Sequence, residues 1–121
     1  MKLIKIVNAV NNLNKLSEML LPAKESFKII KLMQKIEPEL QNYNVQRNKL
    51  LAKYGDSEDG KTFVIKEEEK ENFTKEIIDL ENIEIDFEFD KIKISEKLTM
   101  KASDLINITD FVEIVGDENG I

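Results

Sequence analysis

The chain has 121 residues, is 41% hydrophobic and 35% charged, and carries a formal net charge of -6 with a mean hydropathy of -0.36. That is apolar material for one ordinary core and no more. There is no His, no Cys and no Trp, which excludes thiolate and imidazole catalysis, disulfides and the common zinc sites, and leaves carboxylates as the only strong metal ligands.

In chain order, residues 2–7 hold Ile4, Ile6 and Val7 and read as a short strand, with the first turn of a helix as the alternative. From Asn8, an N-cap type, Val10, Leu13, Leu16 and Leu20 recur at helical spacing. Leu21-Pro22 ends that helix, because the residue before proline avoids the helical region. Pro22 suits the first turn of a second helix, which runs to Tyr54 and stops at Gly55. Its apolar face is read as Phe27, Ile30, Met33, Ile36, Leu40, Tyr43, Leu51 and Tyr54. Lys24, Lys28, Lys31, Lys35, Lys49 and Lys53 lie opposite. Pro38 is expected to kink this helix near Ile36 or break it in two. The pair forms an antiparallel hairpin, sealed by Leu13, Leu16 and Leu20.

Residues 55–60 form a polar turn. Their likeness to a calcium loop is superficial, since Gly60 is the fifth residue from Asp56 and not the sixth. Thr62, Phe63, Val64 and Ile65 have strand composition. Residues 67–80 predict a third helix, with Glu67, Glu68 and Glu69 in its first turn and Phe73, Ile77 and Leu80 as its apolar edge. Ile83, Ile85, Phe87 and Phe89 alternate with Glu84, Asp86, Glu88 and Asp90, the pattern of an amphipathic strand. Ile92 and Ile94 continue on the other parity, which calls for a bulge or a tight turn at Asp90-Lys91. Residues 100–115 read as one or two short helices capped by Thr99 or Thr109, and residues 116–121 as a frayed polar tail. The fold class is α+β: a helical hairpin, a small antiparallel sheet and short C-terminal helices, in a single domain over 1–121.

Charge divides along the chain. Residues 1–55 hold 10 basic against 4 acidic side chains, a net of +6; residues 56–121 hold 8 against 20, a net of -12. Two candidate partner surfaces follow. Glu84, Asp86, Glu88 and Asp90 would place carboxylates about 6.6 Å apart on one strand face, a pitch that imitates a nucleic-acid backbone. The plainer account is a solvated face whose charge blocks edge pairing. Lys24, Lys28, Lys31 and Lys35 could hold phosphates or an acidic protein, and they also stand where a helix must meet water. The basic helix of one copy could equally meet the acidic half of another, giving a salt-sensitive homo-oligomer. No P-loop, dinucleotide fingerprint or nucleophile elbow is present, and no carboxylate pair is singled out. The chain therefore reads as a non-enzyme without cofactor or metal. Lys5 and the asparagines after it interrupt any export signal, and no window spans a membrane, so the expected location is the cytoplasm.

The stretch LNKLSEMLLPAKESFKIIKLMQKIEPELQNYNVQRNKLLAKYG resembles a family of short phage and prophage proteins from low-GC bacteria. That family shows an L-N-x-L helix, a Leu-Pro break, a long charged helix ending in K-Y-G, and a later acidic alternating segment. The resemblance implies phage origin and supplies no catalytic residues. With the residue inventory it leads to a small phage protein that acts by binding. The first expectation is an inhibitor of a bacterial defence nuclease, anti-CRISPR in type, whose acidic row occludes a basic nucleic-acid channel with Phe87, Phe111 or Tyr43 as apolar anchors. The alternatives are a phage head or tail assembly protein, and a weak nucleic-acid binder using the lysine stripe, which the overall negative charge disfavours.

Overall fold

The computed structural model describes residues 1–116; the residues from 117 on, where most of the polar tail falls, lie outside the described residues. Helix α1 (Leu3–Ser17) buries Leu3, Ile6, Ala9, Leu13 and Leu16. The strand expected over residues 2–7 is therefore a helix, and Asn8 lies inside it instead of capping it. The apolar stripe at helical spacing extends back through Ile6 to Leu3. Propensity differences of under about 0.7 kcal/mol per residue do not outweigh that burial. Strand pairing survives only at Lys2, which bridges Glu84 in antiparallel fashion. The helix also ends earlier than its apolar pattern suggests: Ser17 Oγ donates to the Asn14 carbonyl, and Leu20 is 98% exposed.

Helix α2 (Ala23–Tyr54) packs back on α1 as the second arm of the hairpin and runs unbroken through Pro38. Its buried residues are Ile29, Leu32 and Ile36, and this shifts the expected apolar face. At about 100° per residue, Ile29 and Leu32 flank Ile36 within roughly 40°, whereas Phe27 lies roughly opposite it. Phe27 and Ile30 are 59% and 52% exposed. The lysines occupy a flank of α2, not the side opposite the core.

At the end of α2, Gly55 is extended, with φ -115°, so the left-handed cap that glycine often supplies is not used. Glycine is needed there for closeness: a Cβ would stand 2.7 Å from the Leu51 carbonyl oxygen. Strand β1 (Gly55–Asp56) pairs antiparallel with β2 (Val64–Ile65). The turn between them is closed by Asp59, whose Oδ1 accepts from the N–H groups of Lys61 and Thr62, each at 2.8 Å, with Gly60 at φ 74°. A 3-10 turn over Glu67–Glu69 leads into α3 (Lys70–Glu81), as the sequence suggests. Helix α3 lies on the C-terminal half of α2, where Phe73 meets Tyr54 edge-on at 6.3 Å between ring centres.

The remaining sheet was not foreseen. Strand β3 (Ile92–Ser95) pairs in parallel with β4 (Val112–Val115), Ile92 opposite Val112 and Ile94 opposite Ile114. Helix α4 (Ala102–Leu105) lies in the crossover between them. The C-terminal helical expectation thus holds for α4 only. Val112, Ile114 and Val115 are β-branched and form a strand. The main core joins α1, the N-terminal half of α2, β3 and the segment Ile108, Phe111 and Val112. Among the described residues no helix is long and apolar enough to cross a membrane.

Candidate protein-docking surface

Residues 84–90 are extended and their burial alternates as the sequence pattern demands. Ile85, Phe87 and Phe89 are half-buried against the core, while Glu84, Asp86, Glu88 and Asp90 are exposed. The segment is not a sheet strand, however. The Met1 ammonium and the Ile85 carbonyl bond at 3.0 Å, the Ile85 N–H returns to the Met1 carbonyl at 2.8 Å, and the Leu3 N–H donates to the Ile83 carbonyl at 2.8 Å. Beyond Ile85 no ladder continues. What fixes the row is aromatic packing: Phe89 and Phe87 stand 4.9 and 6.3 Å from the fully buried Phe111 ring, and 5.7 Å from each other. The parity change at Asp90-Lys91 acts as expected of an inserted residue. It lets Phe89 on one side and Ile92 and Ile94 on the other all face inward.

Helix α2 sets the direction of this segment. Lys35 Nζ donates to the Glu88 carbonyl, and the Lys93 N–H donates to Glu25 Oε2 at 3.1 Å. Ten residues of helix cover about 15 Å and five extended residues about 16.5 Å. The two contacts therefore match in pitch, and the segment runs antiparallel along the helix.

The four acids are not equivalent. Glu84 forms an ion pair with the Met1 ammonium at 3.1 Å. Asp86, Glu88 and Asp90 form no ion pair among the described residues. Lys35, Asp86, Phe87 and Glu88 line a shallow depression between the row and α2. Of the lysines, Lys31 lies 5.4 Å above the Phe27 ring and Lys35 is held at Glu88. Lys24 and Lys28 form no ion pair among the described residues. The structure brings only Lys35 of the stripe to the acidic row. Of the expected anchors, Phe111 is 0% exposed and cannot reach a partner; Phe87 and Tyr43 are half-buried. No three carboxylates among the described residues converge as a metal site.

Acids with resolved pKa shifts lie elsewhere, and both go down. Hydrogen bonds from the Thr62 N–H, then the Lys61 N–H and the Ser57 hydroxyl, hold the Asp59 carboxyl below its ordinary range. The Tyr54 hydroxyl, then Lys53 at 3.3 Å, does the same for Glu76. Tyr54 and Glu76 raise Lys53 in turn.

Sequence reasoning missed two contacts that build this region: Glu25 on the β3 backbone, and Asn12, which is 7% exposed and donates from Nδ2 to the Ser103 carbonyl at 2.7 Å. Asn12 carried a signal, since a lone asparagine fell on the face shared by Ala9, Leu13 and Leu16. Comparison with family models, with curated proteins and with solved structures finds no match for this chain.

Proposed function

We propose that this is a phage-encoded, non-catalytic protein that works by binding another protein, and that it presents Asp86, Glu88 and Asp90 to a Lys/Arg-lined surface. In the reading we favour, that surface is the nucleic-acid channel of a bacterial defence nuclease, which the row occludes in the manner of an anti-CRISPR protein. One observation carries this reading. Three exposed carboxylates are left without a cation, on a segment anchored from beneath by Phe87 and Phe89 on Phe111. A fixed row of unneutralised charge gives steering and orientation at little ordering cost.

Two further points support it. A general acid needs a carboxyl raised by an apolar pocket, and the shifts resolved for Asp59 and Glu76 run downward. A phosphate backbone approaching Lys35 would meet Asp86 and Glu88 beside it, which weighs against the lysine stripe as a nucleic-acid site. A head or tail assembly role is the second reading, favoured by α2, whose C-terminal half runs past the main core.

The test is affinity capture from bacterial lysate with the wild type and with the Asp86→Asn/Glu88→Gln/Asp90→Asn variant, followed by mass spectrometry. The expected result is a nucleic-acid-processing protein held at low salt by the wild type, lost at about 0.5 M salt and lost with the variant. Equal recovery by both proteins would remove the row from the interface, and recovery of structural phage proteins would favour assembly.

A further inference from the structure

The face of α2 opposite its buried residues has no partner in the fold. Stepping about 100° per residue, Phe27, Ile30, Gln34, Gln41, Val45 and Asn48 fall within a band of roughly 60°. All six are exposed, Phe27, Ile30 and Val45 by 59%, 52% and 51%. Ala23, Pro38 and Ala52, also exposed, fill the spaces between and beyond them. None of these side chains is charged, in a chain that is 35% charged. A helix face meant only for water would carry lysine and glutamate, as the neighbouring flank of α2 does.

The spacing within the band says what covers it. Phe27, Gln34, Gln41 and Asn48 are each seven residues apart, which is the coiled-coil repeat. Amide side chains at one heptad position are the device that sets register and partner number in paired helices. Each amide is both donor and acceptor, so an identical amide on a second helix satisfies it. From this geometry we infer that two copies of the chain pair through this face of α2, parallel and in register, about a twofold axis along the helices.

Charge selects the direction. In an antiparallel pair the flank bearing Lys24, Lys28, Lys31, Lys35, Lys49 and Lys53 meets itself, and like charges across a helix pair are unfavourable. In a parallel pair that flank meets the opposite one, which holds Ser26, Glu37 and Asn44. The interface is isologous, and the core-facing side of each copy points away from it. From Ala23 to Ala52 the helix covers about 44 Å, and a helix is about 10 Å wide, so each copy contributes a footprint of roughly 440 Å². The pair covers roughly 900 Å², near the lower bound of about 1,000 Å² for specific interfaces. The dimer is therefore reversible and depends on concentration. It stands independently of both readings of function.

Because the chain has no Cys, single cysteines report the geometry directly. Sedimentation equilibrium from about 5 to about 500 μM is expected to show the wild type passing from monomer to dimer, and Phe27→Asp/Val45→Asp staying monomeric. Both sites are exposed, and circular dichroism confirms that the variant is folded; Ile30→Lys serves as a second break. Under mild oxidation Gln34→Cys and Gln41→Cys are each expected to form a disulfide-linked homodimer, at least tenfold faster than Thr74→Cys on α3. A wild type that is monomeric throughout overturns the inference, as does a dimer unaffected by Phe27→Asp/Val45→Asp. Cross-linking of Gln34→Cys to Gln41→Cys, with neither linking to itself, overturns the parallel register.

Discussion

Leu16 and Leu20 look alike in the sequence, four residues apart on one expected stripe, and the structure separates them. Leu16 is fully buried and Leu20 is 98% exposed. Leu16→Ala is expected to cost about 2–5 kcal/mol, as buried leucines do, and Leu20→Ala less than about 0.5 kcal/mol. Urea denaturation of the two variants measures the contrast directly, and equal losses would place Leu20 in the core after all. Tyr54 offers a second local test. Its hydroxyl is the leading cause of the lowered Glu76 pKa, and its ring packs on Phe73. Tyr54→Phe keeps the ring and removes the hydroxyl, so the Glu76 pKa should rise toward 4.5, the ordinary value, in a carboxyl-carbon NMR titration. The sign for stability follows from linkage. A carboxyl whose folded pKa is depressed adds stability above its unfolded pKa, and that contribution disappears as pH falls through the folded value. For Asp59 and Glu76 that window lies at the acid end. For Lys53, raised in the fold, the contribution is present below its unfolded pKa and lost as pH rises through the folded one.

Elements were legible where one periodicity persisted. The limits of α2, from Pro22 to Gly55, follow from a proline at one end and a glycine at the other, although glycine acts there through close approach to Leu51 and not through a left-handed cap. Helix α3 was marked by its acidic first turn and by Phe73, Ile77 and Leu80. The segment 84–90 was legible as alternating and extended, and Glu84, Asp86, Glu88 and Asp90 do emerge on the exposed side. What it pairs with was not legible, because side-chain alternation reports a face and is silent about the backbone's partner. Residues 2–7 and 112–115 were misread for a related reason. Short β-branched runs suit helix and strand alike, and packing decides: Leu3 and Ile6 continue the α1 stripe, whereas Val112 lies beside Ile92. Pro38 belongs to this scale too. It is exposed, it packs on nothing in the core, and it deprives α2 of one backbone hydrogen bond. Pro38→Ala restores that bond, and the variant is expected to be more stable by about 1–3 kcal/mol, measured as a higher urea midpoint at unchanged slope. A destabilised variant would mean that the proline fixes a bend on which the hairpin depends.

Across the whole molecule the divided charge turns out to join the chain to itself. Met1–Glu84, Lys5–Asp110, Lys15–Asp104 and Lys53–Glu76 each connect the basic residues 1–55 to the acidic residues 56–121. Lys35 and Glu25 make further crossings through backbone atoms. The field that sequence alone assigns to two separate halves is thus partly cancelled within the fold, and what remains for a partner is concentrated at Asp86, Glu88 and Asp90. Three of the four ion pairs have both side chains at least a quarter exposed or nearly so, and exposed pairs contribute about 0–1 kcal/mol each. Folding rests instead on the apolar cluster of Ile6, Leu13, Leu16, Ile29, Ile92, Ile94, Ile108 and Phe111, which salt does not screen. Raising NaCl from about 0.05 to about 1 M shortens the screening length from over 10 Å to about 3 Å. It should therefore lower the folding free energy by no more than about 2 kcal/mol, while binding through the acidic row weakens at least tenfold. Calorimetry of the free protein and of its complex, run over the same salt series, reads both quantities. Loss of the fold together with the binding would show that the crossings hold the halves together, and that the row is structural before it is functional.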